Sequence, residues 1–259
     1  MLNYVSKSLF FFIVLLYFTA INTMAQSLDE VILGEHRSEE NKSRDNARHP
    51  KETLEFFGIE NTMIVAEVWP SAGWYTEVIA PFLNNSGQYI SASVDINTDN
   101  PYFSKVIKRF LDKLDEHPEL YGNVKHGILE GKRVEIAEPN TVDMLLTFRN
   151  IHNWMARGNA EFMFDGFYDV LKPGGILGIV EHRGDPSITQ DPIAKSGYVN
   201  QEYAIALAEK SGFIFEASSE INANLKDDKD HREGVWTLAP TYRSLSNEEK
   251  IAFKNIGES

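Results

Sequence analysis

The sequence predicts an α/β protein: a doubly wound, mostly parallel sheet of seven strands with an antiparallel strand near one edge. Three observations carry this. Short apolar runs and amphipathic helical stretches alternate five times, the order that builds parallel strands with helices on both faces. The runs are apolar almost without interruption, as strands covered on both sides must be. Two strand-like runs then follow with no helix between them, and that loop connection suggests the antiparallel strand. With 259 residues, 42% hydrophobic and 24% charged, the chain suits one globular domain with a full core.

Residues 1–25 read as a secretory signal peptide. Lys7 supplies the positive charge, Leu9 to Phe18 is an unbroken apolar run, and Thr23-Met24-Ala25 offers small residues for cleavage before Gln26. The run is short for a membrane span of ~20 residues. The expectation is therefore a periplasmic or secreted protein with no stable membrane anchor after cleavage; a retained anchor is the alternative. Residues 26–46 are polar and charged, a loosely packed arm with some helix, and the α/β domain follows over 47–259.

At His49-Pro50 a helix starts, with proline in its first turn, and Gly58 ends it. Met63 to Val68 is the first strand, followed by the small-residue turn Pro70-Ser71-Ala72-Gly73 and a helix from near Gly73. Gln88 to Val94 is the second strand, ending in Asp95. Pro101 to His117 is the cleanest helix, with Phe103, Val106, Ile107, Phe110, Leu111 and Leu114 on one face. Val124 to Leu129 and Val142 to Phe148 are strands three and four. Ala160 to Leu171 is a helix, Lys172 to Gly175 a turn, and Ile176 to Val180 strand five. Asn200 caps a helix that runs to Lys210, with Gly212 just past its end. Phe213 to Ala217 and Val235 to Leu238 complete the seven strands.

The formal net charge of −13 argues against nucleic acid or anionic membrane as a partner, although a local basic pocket is compatible with it. With no cysteine, no disulfide holds the fold, no thiol does chemistry and no lipid is attached behind the leader. A P-loop, a Gly-x-Ser-x-Gly elbow and a paired-cysteine zinc site are all missing.

Ligands of open α/β sheets bind outside the carboxyl ends of the strands, so the residues just past each strand are the candidates. They are Glu67 to Gly73, Asp95, Glu130, Arg149 to Trp154, and Glu181 to Arg183. Small residues after strand one let a ligand approach the backbone, and Glu67 offers an acceptor; any first strand and helix of such a domain has a similar turn. Asp95 lies where an acidic residue reaches a ribose in dinucleotide-type sites, or is an ordinary turn aspartate before Asn97. The run Arg149-Asn150-Ile151-His152-Asn153-Trp154 reads as a pocket wall, with His152 as acid/base and Trp154 as an apolar lid. Its plain alternative is a hydrogen-bonded loop with a capping Trp. His152, Glu181 and His182 lack metal-site spacing, so no metal is expected.

Four stretches, ARHPKETLEFFGI, VAEVWPSAGWYTEVIAPFL, VDMLLTFRNIHNWM and EGVWTLAPTYR, together with LKPGG before strand five, resemble class I S-adenosylmethionine-dependent methyltransferases. The likeness covers about residues 44 to 243. It is nearest to a group of uncharacterised bacterial predicted methyltransferases, often with signal peptides. The resemblance implies a Rossmann-like fold and S-adenosylmethionine as cofactor. It assigns cofactor binding to Glu67, Ser71, Ala72, Gly73, Asp95 and Glu130. It puts Arg149, His152 and Asn153 in the catalytic set, with His152 as base, and Asn150, Trp154, Glu181 and His182 around an unknown small-molecule substrate. The usual Gly-x-Gly-x-Gly turn reads Trp69-Pro70-Ser71-Ala72-Gly73, with two of three glycines replaced. An exported, non-catalytic ligand-binding protein with the same fold is the alternative.

Overall fold

The computed structural model describes residues 26–259, so the predicted signal peptide lies outside the described residues. Six strands form one sheet: β1 Ile64–Val68, β2 Gln88–Ser93, β3 Lys125–Glu130, β4 Arg133–Glu135, β5 Val142–Phe148 and β6 Leu171–Val180. Their order is β4-β3-β2-β1-β5-β6, and every pairing is parallel except β3 with β4. The antiparallel strand is thus a short edge hairpin, turned at Gly131-Lys132, and not one of the two C-terminal runs.

Those two runs are where the expectation of seven strands fails. Phe213 to Ala217 forms no regular element and has no ladder partner, burying part of Phe213 and leaving Ile214 88% exposed. Val235 to Leu238 falls largely in a single 3-10 turn, Gly234–Thr237. The cause is local: Gly234 has φ 59°, and a Cβ there would stand 2.0 Å from the Ser196 carbonyl oxygen. The chain is pressed against residues 196–198 in a conformation no strand adopts.

Helices cover both faces. On one side lie α1 (Leu28–Ile32), α2 (Glu39–Lys42), α3 (Asp45–Arg48), α4 (Pro50–Phe57), α5 (Thr76–Leu83), α6 (Pro101–Glu116) and α7 (Pro118–Tyr121). Opposite are α8 (Ile151–Arg157), α9 (Ala160–Val170) and α10 (Gln201–Lys210); α11 (Asn247–Lys254) precedes the C-terminal tail. Alternation along each strand sorts the core. Val65, Met144 and Leu146 face the α5 side, while Ala66, Val68 and Leu145 face α8 and α9. The long helix α6 begins where Pro101 fixes φ and Asn100 accepts from the amides of Tyr102 and Phe103, and it buries Ile107, Phe110 and Leu114. No helix among the described residues is long and apolar enough to cross a membrane.

The 26–46 segment, expected to be loosely packed, is docked on the α5 side, with Val31 fully buried and Arg37 2% exposed. One contact shows the fit. Pro81 inside α5 has no N–H, which frees the Glu77 carbonyl four residues earlier. The His36 imidazole donates to that carbonyl at 2.8 Å through Nε2.

Candidate functional site

Strand order reverses between β1 and β5, so the crevice above those two strand ends is where a ligand of this fold would sit. The turn after β1 has left-handed backbone at alternate residues, φ 48° at Trp69, 54° at Ser71 and 77° at Gly73. These are the three positions at which a Gly-x-Gly-x-Gly loop carries glycine, and L-residues adopt this region at a cost of about 1–2 kcal/mol each. Two non-glycine residues held there mark backbone conformation retained against its own preference. Gly73 is also sterically required, since a Cβ would meet the Phe110 ring at 3.1 Å.

Ser71 and Ala72 are exposed and Gly73 is buried. The Trp69 amide continues the β1–β2 ladder by donating to the Ala92 carbonyl at 2.8 Å. Its indole Nε1 donates to the Leu129 carbonyl at 2.9 Å, so the ring reaches from β1 past the end of β2 to β3. There it meets Trp154 edge-on and lies under the Arg157 guanidinium. Glu67 does not face this crevice. Strand alternation turns it toward α5, where it is 2% exposed and accepts from the hydroxyls of Tyr89 and Thr76.

Asp95 and Glu130 come together at the ends of β2 and β3. Glu130 accepts from the Asp95 amide at 3.2 Å, and Arg133 of the edge hairpin reaches Asp95 at 3.1 Å and Glu130 at 3.6 Å. The amide of Asn97, then Arg133, hold the Asp95 carboxyl below its usual range. The gap between the turn, β2 and α6 measures about 20 Å³, room for one water.

The larger cavity, about 180 Å³, lies outside the ends of β5 and β6. Arg48, Arg149, His152, His182, Trp236 and Glu258 line it. His152 is 6% exposed, at the start of α8. Its Nδ1 donates to the Glu181 carboxylate at 3.1 Å, and its Nε2 accepts from the Asn153 amide at 3.0 Å. Glu181 also accepts from the Ile151 amide at 2.7 Å, so one carboxylate fixes both the helix start and the imidazole tautomer. Burial works to raise the Glu181 carboxyl, but the His152 hydrogen bond and the nearby histidines outweigh it and hold the group below its usual range. His182 is pushed down to about 3 by burial and then by the Arg149 charge, so it is neutral at ordinary pH.

Three of the residues placed around the substrate do other work. Trp154 is fully buried against Phe164 and Phe167 and cannot be a lid. The aromatic over His152 is Trp236, its ring centre 5.8 Å away. Asn150 turns inward, donating to the Val68 carbonyl at 3.1 Å and the Thr147 hydroxyl at 3.2 Å, which ties β1 to β5 at the reversal point. Glu181 acts through His152 and does not line the cavity. Asp227, Asp228 and His231 also gather, and there His231 Nε2 donates to Asp227 at 2.9 Å and the Tyr198 hydroxyl to the same oxygen.

No protein-family model matches the chain, and no curated protein sequence does. Solved structures do. An S-adenosylmethionine-dependent methyltransferase from Aquifex aeolicus superposes with a TM-score of 0.53 at 17% identity, over 68% of this chain and 85% of its own. Human N-acetylserotonin methyltransferase, solved with S-adenosylmethionine, gives 0.50 at 12% identity, over 76% of this chain and 54% of its own. A putative O-methyltransferase from Nostoc punctiforme gives 0.50 at 10% identity, over 73% and 54%. The chain has the methyltransferase fold. In that frame the turn at Trp69 to Gly73 and the carboxylate of Asp95 stand on the side of β1 that leads to β3, and the His152 cavity on the side that leads to β6.

Proposed function

We propose that the protein is an S-adenosylmethionine-dependent methyltransferase acting on a small molecule, exported by its signal peptide. The observation that carries the reading is the left-handed backbone at residues 69, 71 and 73, kept at the end of the first strand of a methyltransferase-type sheet. The residues fit the cofactor at two places. Asp95 at the end of β2 would hold the ribose hydroxyls, with Glu130 beside it, and the Ser71 to Gly73 turn would lie along the methionine end. The Trp69 indole, held by the Leu129 carbonyl against Trp154, is the bulk that stands in place of the first glycine of such a turn.

Bound S-adenosylmethionine supplies an activated methyl group. The protein then has to align an acceptor and remove its proton. His152 is built for the second task. With Nδ1–H committed to Glu181, its basic lone pair is on Nε2, which accepts from the Asn153 side-chain amide, so a proton taken from a molecule in the cavity would displace that amide. Glu181 stabilises the imidazolium that forms.

Calorimetric titration of residues 26–259 with S-adenosylhomocysteine tests the reading. Micromolar binding, lost at least tenfold in Asp95→Ala and strengthened in Trp69→Gly, is the expected result. A folded protein that binds in neither the wild-type nor the Trp69→Gly form is not a methyltransferase, and a ligand-binding protein on this fold takes its place.

A further inference from the structure

The cavity beside His152 has a charge that neither the methyltransferase fold nor methyl transfer requires. In a chain of net charge −13, two arginines from distant segments, Arg48 and Arg149, line it, and a third, Arg44, joins Arg48 on the Glu258 carboxylate in its wall. Arg44 binds the Glu258 carboxylate two-pronged, through Nε at 2.5 Å and Nη2 at 3.0 Å, and Arg48 adds Nε at 3.0 Å. Arg149 donates through Nε and Nη2 to the Ser259 carbonyl, both at 3.2 Å, while its Nη1 is buried without a partner. Among the described residues, Glu258 is the one side-chain carboxylate that pairs with any of these three guanidinium groups. The three guanidinium groups thus gather on the Glu258 side chain and the Ser259 main-chain oxygen, and the crowding shows at Arg48: burial and then the Arg149 charge bring its guanidinium down to about 10.

The planar fork of arginine matches a carboxylate, and a cluster of forks around one point is the usual recognition of that group. The carboxylate present belongs to the chain's own tail, held there by the Asn224 amide, which donates to the carbonyls of Ile256 and Glu258 at 2.8 Å. Beyond it the cavity continues to the His152 imidazole, walled by the Trp236 ring. This is room for the body of a small ligand whose anionic end sits on the arginines.

We infer that the cavity takes a small-molecule carboxylate as its ligand, and that Glu258 occupies the ligand's place when the tail is docked. Calling that ligand the methyl acceptor rests on the proposed function; the anion site does not. The tail then competes with the ligand, and binding releases it.

The test uses benzoate, its neutral shape-match benzamide, and phenyl phosphate, read by calorimetry on wild-type and Glu258→Gln protein. Glu258→Gln should bind benzoate at least tenfold more tightly than wild type, and at least tenfold more tightly than it binds benzamide. Adding Arg149→Gln should remove at least tenfold of that affinity. In wild-type protein, benzoate but not benzamide should speed tryptic cleavage after Lys254, a readout that stands even where Glu258→Gln does not fold. Equal affinity for benzoate and benzamide, or cleavage that benzoate leaves unchanged, overturns the inference. Phenyl phosphate binding more tightly than benzoate overturns the carboxylate assignment. Titrating the same samples with S-adenosylhomocysteine separates the two readings: benzoate binding without cofactor binding sinks methyl transfer and leaves the anion site standing.

Discussion

Glu67 illustrates how much a single buried side chain decides. Burial pushes its carboxyl up from the ordinary 4.5 to about 7, against the hydrogen bonds of Tyr89 and Thr76 that favour the ionised form. The folded state therefore holds a proton that the unfolded state has released, and Glu67 costs stability as pH rises from 4.5 through 7. The cost is about 3 kcal/mol by linkage, complete above pH 7. His182, pushed down to about 3, contributes with the opposite sign below pH 6.5, so the wild-type curve alone does not isolate Glu67. The difference between Glu67→Gln and wild type does. Measured by urea unfolding at pH 4.5 and 7.5, it should shift by about 3 kcal/mol in favour of the glutamine variant. A difference that is flat with pH would mean the carboxyl titrates normally. At this scale the sequence was legible where a residue follows a strand: Asp95, Glu130, Arg149, His152 and His182 stand at strand ends. It was not legible for Arg48, Trp236 and Glu258, because the fold assembles that wall from three distant segments. Trp154 was misplaced because the polar run containing it is not a loop. It is the first turn of α8, whose inward face carries Ile151 and Trp154 into the core.

Helices with local signals came out as the sequence predicts, whereas the Lys172 to Gly175 turn is drawn into β6 and the elements defined by distant partners differ. Proline and glycine bound α4, and Asn100, Pro101 and Pro118 bound α6, each acting within its own helix turn. The run at 213–217 has strand character but no ladder to join, and the edge strand β4 is three residues long, recognisable chiefly by the Gly131-Lys132 turn before it. The 26–46 segment was misjudged for the same reason, since its polar residues are satisfied by partners far along the chain. Arg37 pairs with Asp45 at 2.7 Å and lies 3.8 Å from Glu77, which also accepts from Asn41 and Lys113, while the Trp74 indole donates to the Asn41 carbonyl at 3.0 Å. Removing one member of such a buried network strands the others. Arg37→Ala should destabilise the protein by about 3–5 kcal/mol. Hydrogen exchange should show protection lost first over residues 28–48. A loss below 1 kcal/mol would place the segment's anchorage in its apolar contacts instead.

The whole molecule carries its stability without a disulfide, which bears on the compartment. With no cysteine the fold is indifferent to the redox state of its surroundings, so folding after export asks nothing of an oxidising machinery. Gln26 is exposed, and Ser27 caps α1 in a reciprocal box with Glu30, so cleavage after Ala25 would leave that cap intact. Expression of the full chain in a Gram-negative host should give a periplasmic protein whose mass corresponds to a start at Gln26. Leu15→Arg with Leu16→Arg, which breaks the apolar run, should leave the uncleaved chain in the cytosol. Recovery of the unaltered chain from the cytosol at full length would reject export. It would also remove the main difficulty for methyl transfer, because the cofactor is made in the cytosol and an exported enzyme needs its own supply. The two outcomes therefore divide the function as well as the address. An exported protein that binds S-adenosylhomocysteine requires a source of the cofactor outside the cytosol, whereas one that does not bind it has kept the fold for another ligand.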